Sequence, residues 1–409
     1  MSHELVKTLP ASRSSSTHRR LLVSACVSSI GDGFTIVAFG LMAVRLTRDP
    51  RLVTSVFVAG RLPWVFGLWL ARFVDRCRRP AVVLVVADIV RAVVLGATAM
   101  IVWTAGGSIP LLCCAAAVIG VGTLCHSAAR SAILPVIASG RALAKMNGYL
   151  SSAEGLGYAA IGPALGGLAF TFGHHVPLAV DSLSFAASAI LLCPLTRLVL
   201  PGGPRPRTAD GGRGLVRAVL SHRLLSVLLA QTVALGFTQS IVLGMTPLFV
   251  QSVLGVSPGW YGVFLAAAAI GGIVTGVLTP HLWSERSGTF FLVHGAGIAG
   301  GLAYYGFADQ RTALSALAFL FVYDATVGIM NTVSPTLRLE HAPADARART
   351  ATLFRQAIYS VQPVGALLGG AIAHAYGVRA AITVAGLAAV GCFALTAIPL
   401  RRAVVALGA

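Results

Sequence analysis

Two carboxyl groups deep inside long apolar stretches are the residues of this sequence best placed to do chemistry. Asp32 lies about eleven residues into the first stretch, or ~17 Å along a helix, and Asp324 is similarly deep in a later one. A carboxyl group removed from water takes up a proton more readily than an exposed one. Each could therefore load and release a proton, with Asp32 as the first candidate and Asp324 as the second. The alternative for Asp32 is a structural ion pair, for example with Arg61.

The sequence carries no pattern that is typical of an enzyme or a metal site. Its histidines lack the spacing of zinc ligands, and none of its seven cysteines forms a Cys-x-x-Cys pair. It has neither a glycine-rich phosphate loop with a lysine nor a nucleophile elbow. We therefore predict no catalytic residues, no cofactor and no metal. Energy for work must come from an ion gradient and not from bound ATP.

The composition indicates the elements that must position these carboxyl groups. The 409 residues are 56% hydrophobic and 11% charged, with a mean hydropathy of +0.83. Ordinary soluble domains have about a quarter of their residues charged, so a water-soluble protein is excluded. Only helices and closed barrels span a membrane, and the long unbroken apolar runs do not match the short alternating strands of a barrel. The sequence predicts an all-α, polytopic membrane protein.

The apolar runs divide into two groups of six predicted spans, each near the roughly 20 residues that cross a bilayer. A stretch rich in Gly, Pro and Arg separates the groups. We predict an N-terminal six-helix bundle over residues 1–200, a cytoplasmic linker over 201–221 and a C-terminal six-helix bundle over 222–409. The predicted spans are 21–46, 52–74, 81–104, 109–129, 147–172, 176–197, 223–250, 257–282, 289–307, 312–335, 351–376 and 378–399.

The basic residues predict the orientation of the spans. Most of the 31 Lys and Arg residues fall on the side of the N-terminus, and the chain has only 13 acidic residues. Cytoplasmic loops carry such an excess of positive charge, so we place both termini in the cytoplasm and the protein in the cell (inner) membrane. The basic residues are spread among the loops between spans, which argues against nucleic-acid binding.

Two features recur at matching positions in the two halves. An acidic-basic pair ends the second span of each half, and a cluster of Gly and Pro occupies the fifth. Such internal symmetry is typical of transporters built from two repeats, with the substrate held between them. The alternative is that small residues recur in any membrane bundle because they allow close helix packing. The recurring residues are Asp75-Arg76 with Glu285-Arg286, and Gly162, Pro163, Gly166, Gly167 with Pro363, Gly365, Gly369, Gly370.

The end of the second span, with Asp75, Arg76 and Arg79, resembles the loop 2–3 signature of the major facilitator superfamily. It departs from that signature at positions 71 and 78, where the family usually has Gly. Segments 28–50, 130–167 and 342–370 resemble the branch that contains the enterobactin-type siderophore exporters and the macrolide efflux pumps. The resemblance extends over nearly the whole chain. It implies twelve transmembrane helices in two pseudo-symmetric six-helix bundles.

The resemblance also implies roles for two motifs. Asp75, Arg76 and Arg79 would lock the two halves together on the cytoplasmic side while the protein faces outward. The alternative is that these arginines only set the topology. The Gly-Pro motif of the fifth span accompanies exporters in the family that exchange cargo for protons, although ordinary helix packing would also explain it.

The resemblance further implies a cavity lined by spans 1, 4, 7 and 10. For each buried amide among the candidates, a hydrogen bond to a neighbouring helix is an equally good explanation. The polar and aromatic candidates for its wall are Asp32, Phe34, Arg61, Gln239, Asn331, Arg355 and Gln362.

Taken together, these features predict a monomeric secondary transporter whose partners are a small-molecule substrate, protons and the lipid bilayer. It would export a drug, an antibiotic or a siderophore in exchange for protons, by alternating access. The rival within transport is an importer or facilitator of a small nutrient. A membrane enzyme would need a catalytic cluster, and a transporter-like sensor would need an extra soluble domain, and the sequence offers neither.

Overall fold

The computed structural model describes residues 11–75, 77–197, 213–283, 289–342 and 346–408. Within these ranges the chain forms fifteen α-helices joined by short turns, and it contains no β-strand. The apolar faces of the helices form three buried clusters. The prediction of an all-α polytopic membrane protein is confirmed.

The N-terminal half contains eight helices, two pairs of which continue one another across a short irregular turn. A 3₁₀ turn at Leu62–Phe66 joins α2 to α3, and a π turn at Gly157–Ile161 joins α6 to α7. Pro63 lacks the N–H group that the regular helix would need, which explains the first interruption. The helices are α1 (Ala11–Leu46), α2 (Pro50–Arg61), α3 (Gly67–Asp75), α4 (Pro80–Ala105), α5 (Ile109–Ile137), α6 (Gly140–Leu156), α7 (Gly162–Phe172) and α8 (Val176–Leu192).

The C-terminal half repeats the plan with longer, mostly unbroken helices. A short π turn at Phe249–Val253 extends the first membrane helix of this half. The helices are α9 (Arg213–Ser221), α10 (Arg223–Leu248), α11 (Pro258–Leu282), α12 (Thr289–Asp309), α13 (Ala313–His341), α14 (Arg347–Tyr376) and α15 (Val378–Gly408).

Nine helical segments of the described chain are long and apolar enough to cross a membrane. The remaining three predicted spans coincide with α2 joined to α3, with α12 and with α14. The total of twelve spans therefore stays a prediction. The segment 130–146, which lies between the fourth and fifth predicted spans, is mostly helical, because α5 extends to Ile137 and α6 begins at Gly140.

Part of the predicted linker is also helical. Residues 198–212 lie outside the described ranges, but α9 covers its last nine residues. Val219 of α9 is buried in a cluster with Leu224, Leu225 and Phe354. This helix is amphipathic and packs one face on the bundle. Its sequence therefore lacks the continuous apolar run of a membrane span, although it is not an irregular loop.

The two halves contact each other through two equivalent helix pairs. In one pair α7 packs on α11, and in the other α2 packs on α14. Each pair joins the second membrane segment of one half to the fifth of the other, as expected from a pseudo-two-fold relation. We call the end of the bundle where α1 begins the proximal end, and the end where α1 finishes the distal end.

Candidate functional site

Small residues bring the halves into backbone contact in the distal part of the molecule. A Cβ atom placed on Gly262 of α11 would lie 2.9 Å from the backbone nitrogen of Gly167 in α7. A Cβ atom on Gly370 of α14 would lie 3.3 Å from the Cα atom of Arg51 in α2. Backbones approach this closely only where side chains are absent. The two halves are therefore closed against each other at this level.

Polar contacts extend this closure to the distal loops. Asp49, which caps α2, lies 3.3 Å from the His374 ring near the end of α14, and Arg48 donates a hydrogen bond to the Ser252 hydroxyl. Hydrogen bonds from Arg51 hold the pKa of Asp49 below its usual value. Asp49 therefore stays ionised, and available to His374, down to a lower pH than an ordinary aspartate. These contacts are partly exposed, so each one contributes little by itself.

The Gly-Pro motif of the fifth span makes contacts in both directions. Gly162 packs on α1. A Cβ atom placed on Gly33 of α1 would lie 2.7 Å from the Cα atom of Gly162. Gly166 packs on the backbone of Phe34, and Pro163 and Gly167 face Gly262 of the other half. The motif thus joins α1, α7 and α11 in one close-packed layer.

The proximal part of the molecule contains a cavity of about 310 Å³. Its walls come from α10, α13 and the first three turns of α14, all in the C-terminal half. Two of the predicted cavity residues, Asn331 and Arg355, lie in this wall, and both are exposed. The cavity thus lies at the end of the molecule opposite to the glycine contacts.

Arg61 connects this cavity to the N-terminal half. Its guanidinium donates a hydrogen bond to the Tyr158 hydroxyl at 3.3 Å and lies 5.5 Å from the centre of the Tyr359 ring, which is part of the cavity wall. Trp64 packs on the same ring, with the two centroids 4.4 Å apart and the ring planes tilted by 40°. The aromatic ring of Tyr359 therefore lies at the boundary between the halves, between the cavity and Arg61.

Asp32 is half-buried and lies within electrostatic range of Arg61 and the Tyr158 hydroxyl. Its carboxyl group makes no hydrogen bond or ion pair with any residue that the structure describes. The structural ion pair with Arg61, the alternative interpretation of this residue, is not formed in this conformation. Asp32 is thus a carboxyl group with partial access to the interior and without a fixed partner.

Two fully buried carboxylates lie near Asp32: Asp181 on α8 and Asp88 on α4. Asp181 accepts hydrogen bonds from the hydroxyl groups of Thr35 at 2.5 Å and Ser184 at 2.8 Å. Ser184 lies three residues from Asp181 on α8, but Thr35 comes from α1, so only the packing of these two helices brings Thr35 to Asp181.

Asp88 forms a second buried cluster. It pairs with Arg91 one turn along α4, accepts from the Ser188 hydroxyl at 2.6 Å and lies 3.0 Å from the His126 ring. The spacing of three between Asp88 and Arg91 predicts the ion pair. His126 and Ser188 come from α5 and α8, and only the packing of these helices reveals that they join it.

Asp324 occupies a separate position in the C-terminal half. It is half-buried on α13 and packs near α11. A Cβ atom placed on Gly272 of α11 would lie 3.8 Å from the Cβ atom of Asp324. Within the described chain its carboxyl group has no hydrogen bond or ion pair. It is not part of the cavity wall and is not brought together with Asp32.

The remaining cavity candidates differ in their surroundings. Phe34 is buried against α7, as its contact with Gly166 requires. Gln362 is buried, and its Oε1 atom has no hydrogen-bond partner in the described part of the chain, while Gln239 is half-buried. Gln356, adjacent to Arg355, donates to the backbone carbonyl of Trp64 and so links the halves.

The predicted gating motif is only partly visible. Asp75 is the last residue of α3, and Arg79 precedes α4 with an exposed side chain. Arg76 and the side chain of Asp75 lie outside the described part of the structure. Near this end of the molecule, Arg130 pairs with Glu154 at 3.2 Å, which links α5 to α6.

The chain is similar to proteins named as drug pumps along most of its length. The Multidrug efflux pump Tap of Mycobacterium tuberculosis is 26% identical over 405 residues, covering 93% of this chain and 92% of that protein. The Tap protein of Mycolicibacterium fortuitum is 26% identical over 379 residues, covering 88% of this chain and 90% of that protein.

Solved transporters share the fold at low sequence identity. A variant of the nucleoside transporter NupG superposes with a TM-score of 0.74 at 12% identity, covering 95% of this chain and 99% of NupG. A bacterial homologue of the human lysosomal transporter Spinster, inward-facing and unoccupied, gives 0.70 at 13% identity, covering 97% and 99%. The sequence model of the Major Facilitator Superfamily matches residues 21–363. The protein is therefore a membrane-spanning transporter, not an enzyme, and it belongs to the major facilitator superfamily.

Proposed function

We propose that this transporter exports small organic compounds in exchange for protons, and that Asp32 carries the exchanged proton. The observation that carries the proposal is the position of Asp32: a half-buried carboxyl group without a fixed partner among the described residues, inside the N-terminal half and within electrostatic range of Arg61. An ionisable group at this depth is costly unless it serves a function. Asp324 is the second proton site we propose, in the other half.

The chemistry follows from the electrostatics of a changing cavity. In a dry interior the neutral carboxyl group is favoured, while contact with water or with the Arg61 guanidinium favours the carboxylate. A proton bound from the outside would be released when the cavity opens to the cytoplasm. Cargo entering near Arg61 would then meet the ionised form of Asp32.

Rocking of the halves would expose Asp32 to each side in turn. With the glycine contacts at the distal end and the cavity at the proximal end, the present conformation corresponds to a state open to the proximal side. Basic residues concentrated at that end support its placement in the cytoplasm. We propose that Asp75, Arg76 and Arg79 hold this end closed in the opposite state.

Similarity to multidrug efflux pumps supports export over import. The Gly-Pro motif at 162–167 supports the same direction through its resemblance to proton-coupled exporters. The solved structures that share the fold include importers, but at 12–13% identity they speak only to the fold. Direction is therefore tested separately from coupling.

The test adds a panel of fluorescent drugs to the outside of inside-out vesicles whose interior has been made acidic. We expect gradient-driven accumulation in the wild type and a loss of about tenfold or more in the Asp32→Asn variant. Exchange of drug between the two sides without a gradient should persist in that variant, since it removes the proton and not the cavity. Asp309→Asn, an exposed aspartate at the end of α12, is the matched control.

Two outcomes would contradict the proposal. Accumulation that survives Asp32→Asn unchanged would exclude Asp32 as the proton carrier. Accumulation confined to right-side-out vesicles would show an importer.

A further inference from the structure

Three arginines converge on the proximal cavity, and the part of the chain that the structure describes gives them no acidic partner. Arg338 comes from α13, and Arg347 and Arg355 come from the start of α14. The described residues that line the cavity include no aspartate or glutamate, and none of the three arginines forms an ion pair with a described residue. Arg355 also lies within electrostatic range of Arg130 of the N-terminal half, whose own charge is paired with Glu154.

Arg338 is held in position by its surroundings. Its Nε atom donates to the Ser334 carbonyl at 3.1 Å, and its guanidinium lies 4.5 Å from the centre of the Phe354 ring. These contacts leave the terminal nitrogens of the guanidinium free of protein acceptors in the described chain. A pre-positioned guanidinium is well suited to a planar, doubly hydrogen-bonded anion such as a carboxylate or a phosphate.

A second, independent feature points to a ligand in the same place. Thr350 lines the cavity and is 1% exposed, and its hydroxyl oxygen has no hydrogen-bond partner among the described residues. An unsatisfied buried hydroxyl is unusual, because it gives up its bonds to water without replacement. Thr350 lies in the first turn of the 30-residue helix α14, whose N-terminus adds positive potential.

A preference for cytoplasmic positive charge explains arginines near this end of the helices, but it does not explain this arrangement. Topology requires only that the charges lie outside the apolar core. It does not require a guanidinium fixed on an aromatic ring, or a buried hydroxyl left unpaired beside it. The apolar side of the same cavity, with Phe354, Ile358 and Tyr359, would accept the carbon skeleton of an organic ligand.

We propose that the proximal cavity is a binding site for an organic anion, with Arg338, Arg347 and Arg355 engaging its carboxylate or phosphate group and Thr350 completing the hydrogen bonds. The proposal rests on the transport function above and narrows it: the exported molecules carry a negative group. The same chemistry would also bind the headgroup of an anionic phospholipid from the adjoining leaflet, so the test separates the two sources.

The test measures thermal unfolding of the purified full-length protein in nanodiscs of phosphatidylcholine, with benzoate as the probe and benzamide as its neutral analogue. Ligand that binds only the folded state raises the unfolding temperature in a saturable way. We expect benzoate to do so and benzamide to have little effect. Arg355→Gln and Arg347→Gln, both at exposed positions, should each raise the half-saturating benzoate concentration by about tenfold.

The controls separate the cavity from general charge and from folding defects. Arg141→Gln removes an exposed arginine from the same end of the molecule, outside the cavity, and should leave the benzoate response unchanged. Thr350→Val, which keeps the side-chain shape, should weaken it. Arg338→Gln disturbs the contact with Phe354, so its result is read beside that of Arg338→Lys, which retains the charge and should retain part of the response.

A parallel series in nanodiscs that contain phosphatidylglycerol identifies the source of the anion. This lipid could raise the unfolding temperature of the wild type but not of Arg355→Gln, and it could weaken the benzoate response. That result would support the site with a lipid headgroup as its occupant. Equal responses to benzoate and benzamide, or an equal loss in Arg141→Gln, would overturn the proposal. Binding is measured without a gradient, so a negative result here leaves the exporter proposal standing, and a transport failure leaves the site standing.

Discussion

The charged side chains inside the N-terminal half have two different roles. Asp88 and Arg91 are fully buried and paired, with His126 and Ser188 completing the cluster. Such a cluster holds α4, α5 and α8 together. Asp32 lies close to it and has no fixed partner, and the difference in partners separates a candidate for proton exchange from residues that maintain the structure.

The buried pair provides a prediction at the level of single residues. Asp88→Asn leaves the Arg91 guanidinium, with a side chain 3% exposed, without its counter-charge. We expect the free energy of unfolding to fall by about 3–5 kcal/mol. The double replacement Asp88→Leu with Arg91→Met should cost less than Asp88→Asn alone, because it removes both charges. Chemical denaturation in detergent micelles measures both values.

Asp309→Asn, at the exposed end of α12, serves as the control for that series and should change the stability by less than about 0.5 kcal/mol. A loss in Asp88→Asn as small as that of the control would mean that the pair does not contribute to stability. A double variant less stable than the single one would mean that Arg91 has another essential contact.

At the level of helices, the contact between α7 and α11 depends on glycine. A Cβ atom on Gly262 would meet backbone atoms of α7, which cannot move aside as a side chain can. Gly276 on the same helix has nothing within 4 Å of an added Cβ atom. The two positions therefore form a matched pair for testing whether the distal contact is needed for the transport cycle.

We expect Gly262→Val to separate the halves at the distal end, because overpacking of a tight contact costs about 1–3 kcal/mol. Spin labels at Phe172 and Ser257, on the two sides of this contact, should then report a longer distance, and drug efflux should fall. Gly276→Val should leave both unchanged. An unaltered distance in Gly262→Val would show that the contact does not determine which end is closed.

At the level of the whole molecule, the arrangement predicts which surfaces water reaches from each side. The distal loops close over the interior, while the cavity at the proximal end exposes Asn331. If the proximal end is cytoplasmic, reagents in the cytoplasm reach the interior and reagents outside the cell do not. Single cysteines placed at chosen positions test the orientation and the open side together.

The labelling uses a membrane-impermeant maleimide on variants without the seven native cysteines. We expect Ser257→Cys, in the distal loop before α11, to react in intact cells. Arg141→Cys and Asn331→Cys should react only in inside-out vesicles. Reaction of Arg141→Cys in intact cells would reverse the topology. Reaction of Asn331→Cys in both preparations would show that the proximal-open state is only one of several in the membrane.

The sequence by itself determined the class and the general plan of this protein. Apolar runs of membrane-crossing length leave a helix as the only way to satisfy backbone groups in lipid, so the all-α fold follows from composition and length. Asp32 and Asp324 were found the same way, because a charge stands out in an apolar run. The Asp88–Arg91 pair followed from their spacing on one helix.

Only the tertiary structure decided which of these groups have partners. Asp181 acquires Thr35, and His126 acquires Asp88, from helices distant in the sequence, and the Thr350 hydroxyl is left without a partner among the described residues. The positive cavity at the start of α14 also depends on how α10, α13 and α14 pack. Helical spacing fixes contacts within three or four residues, whereas contacts between helices arise only once the whole bundle is assembled.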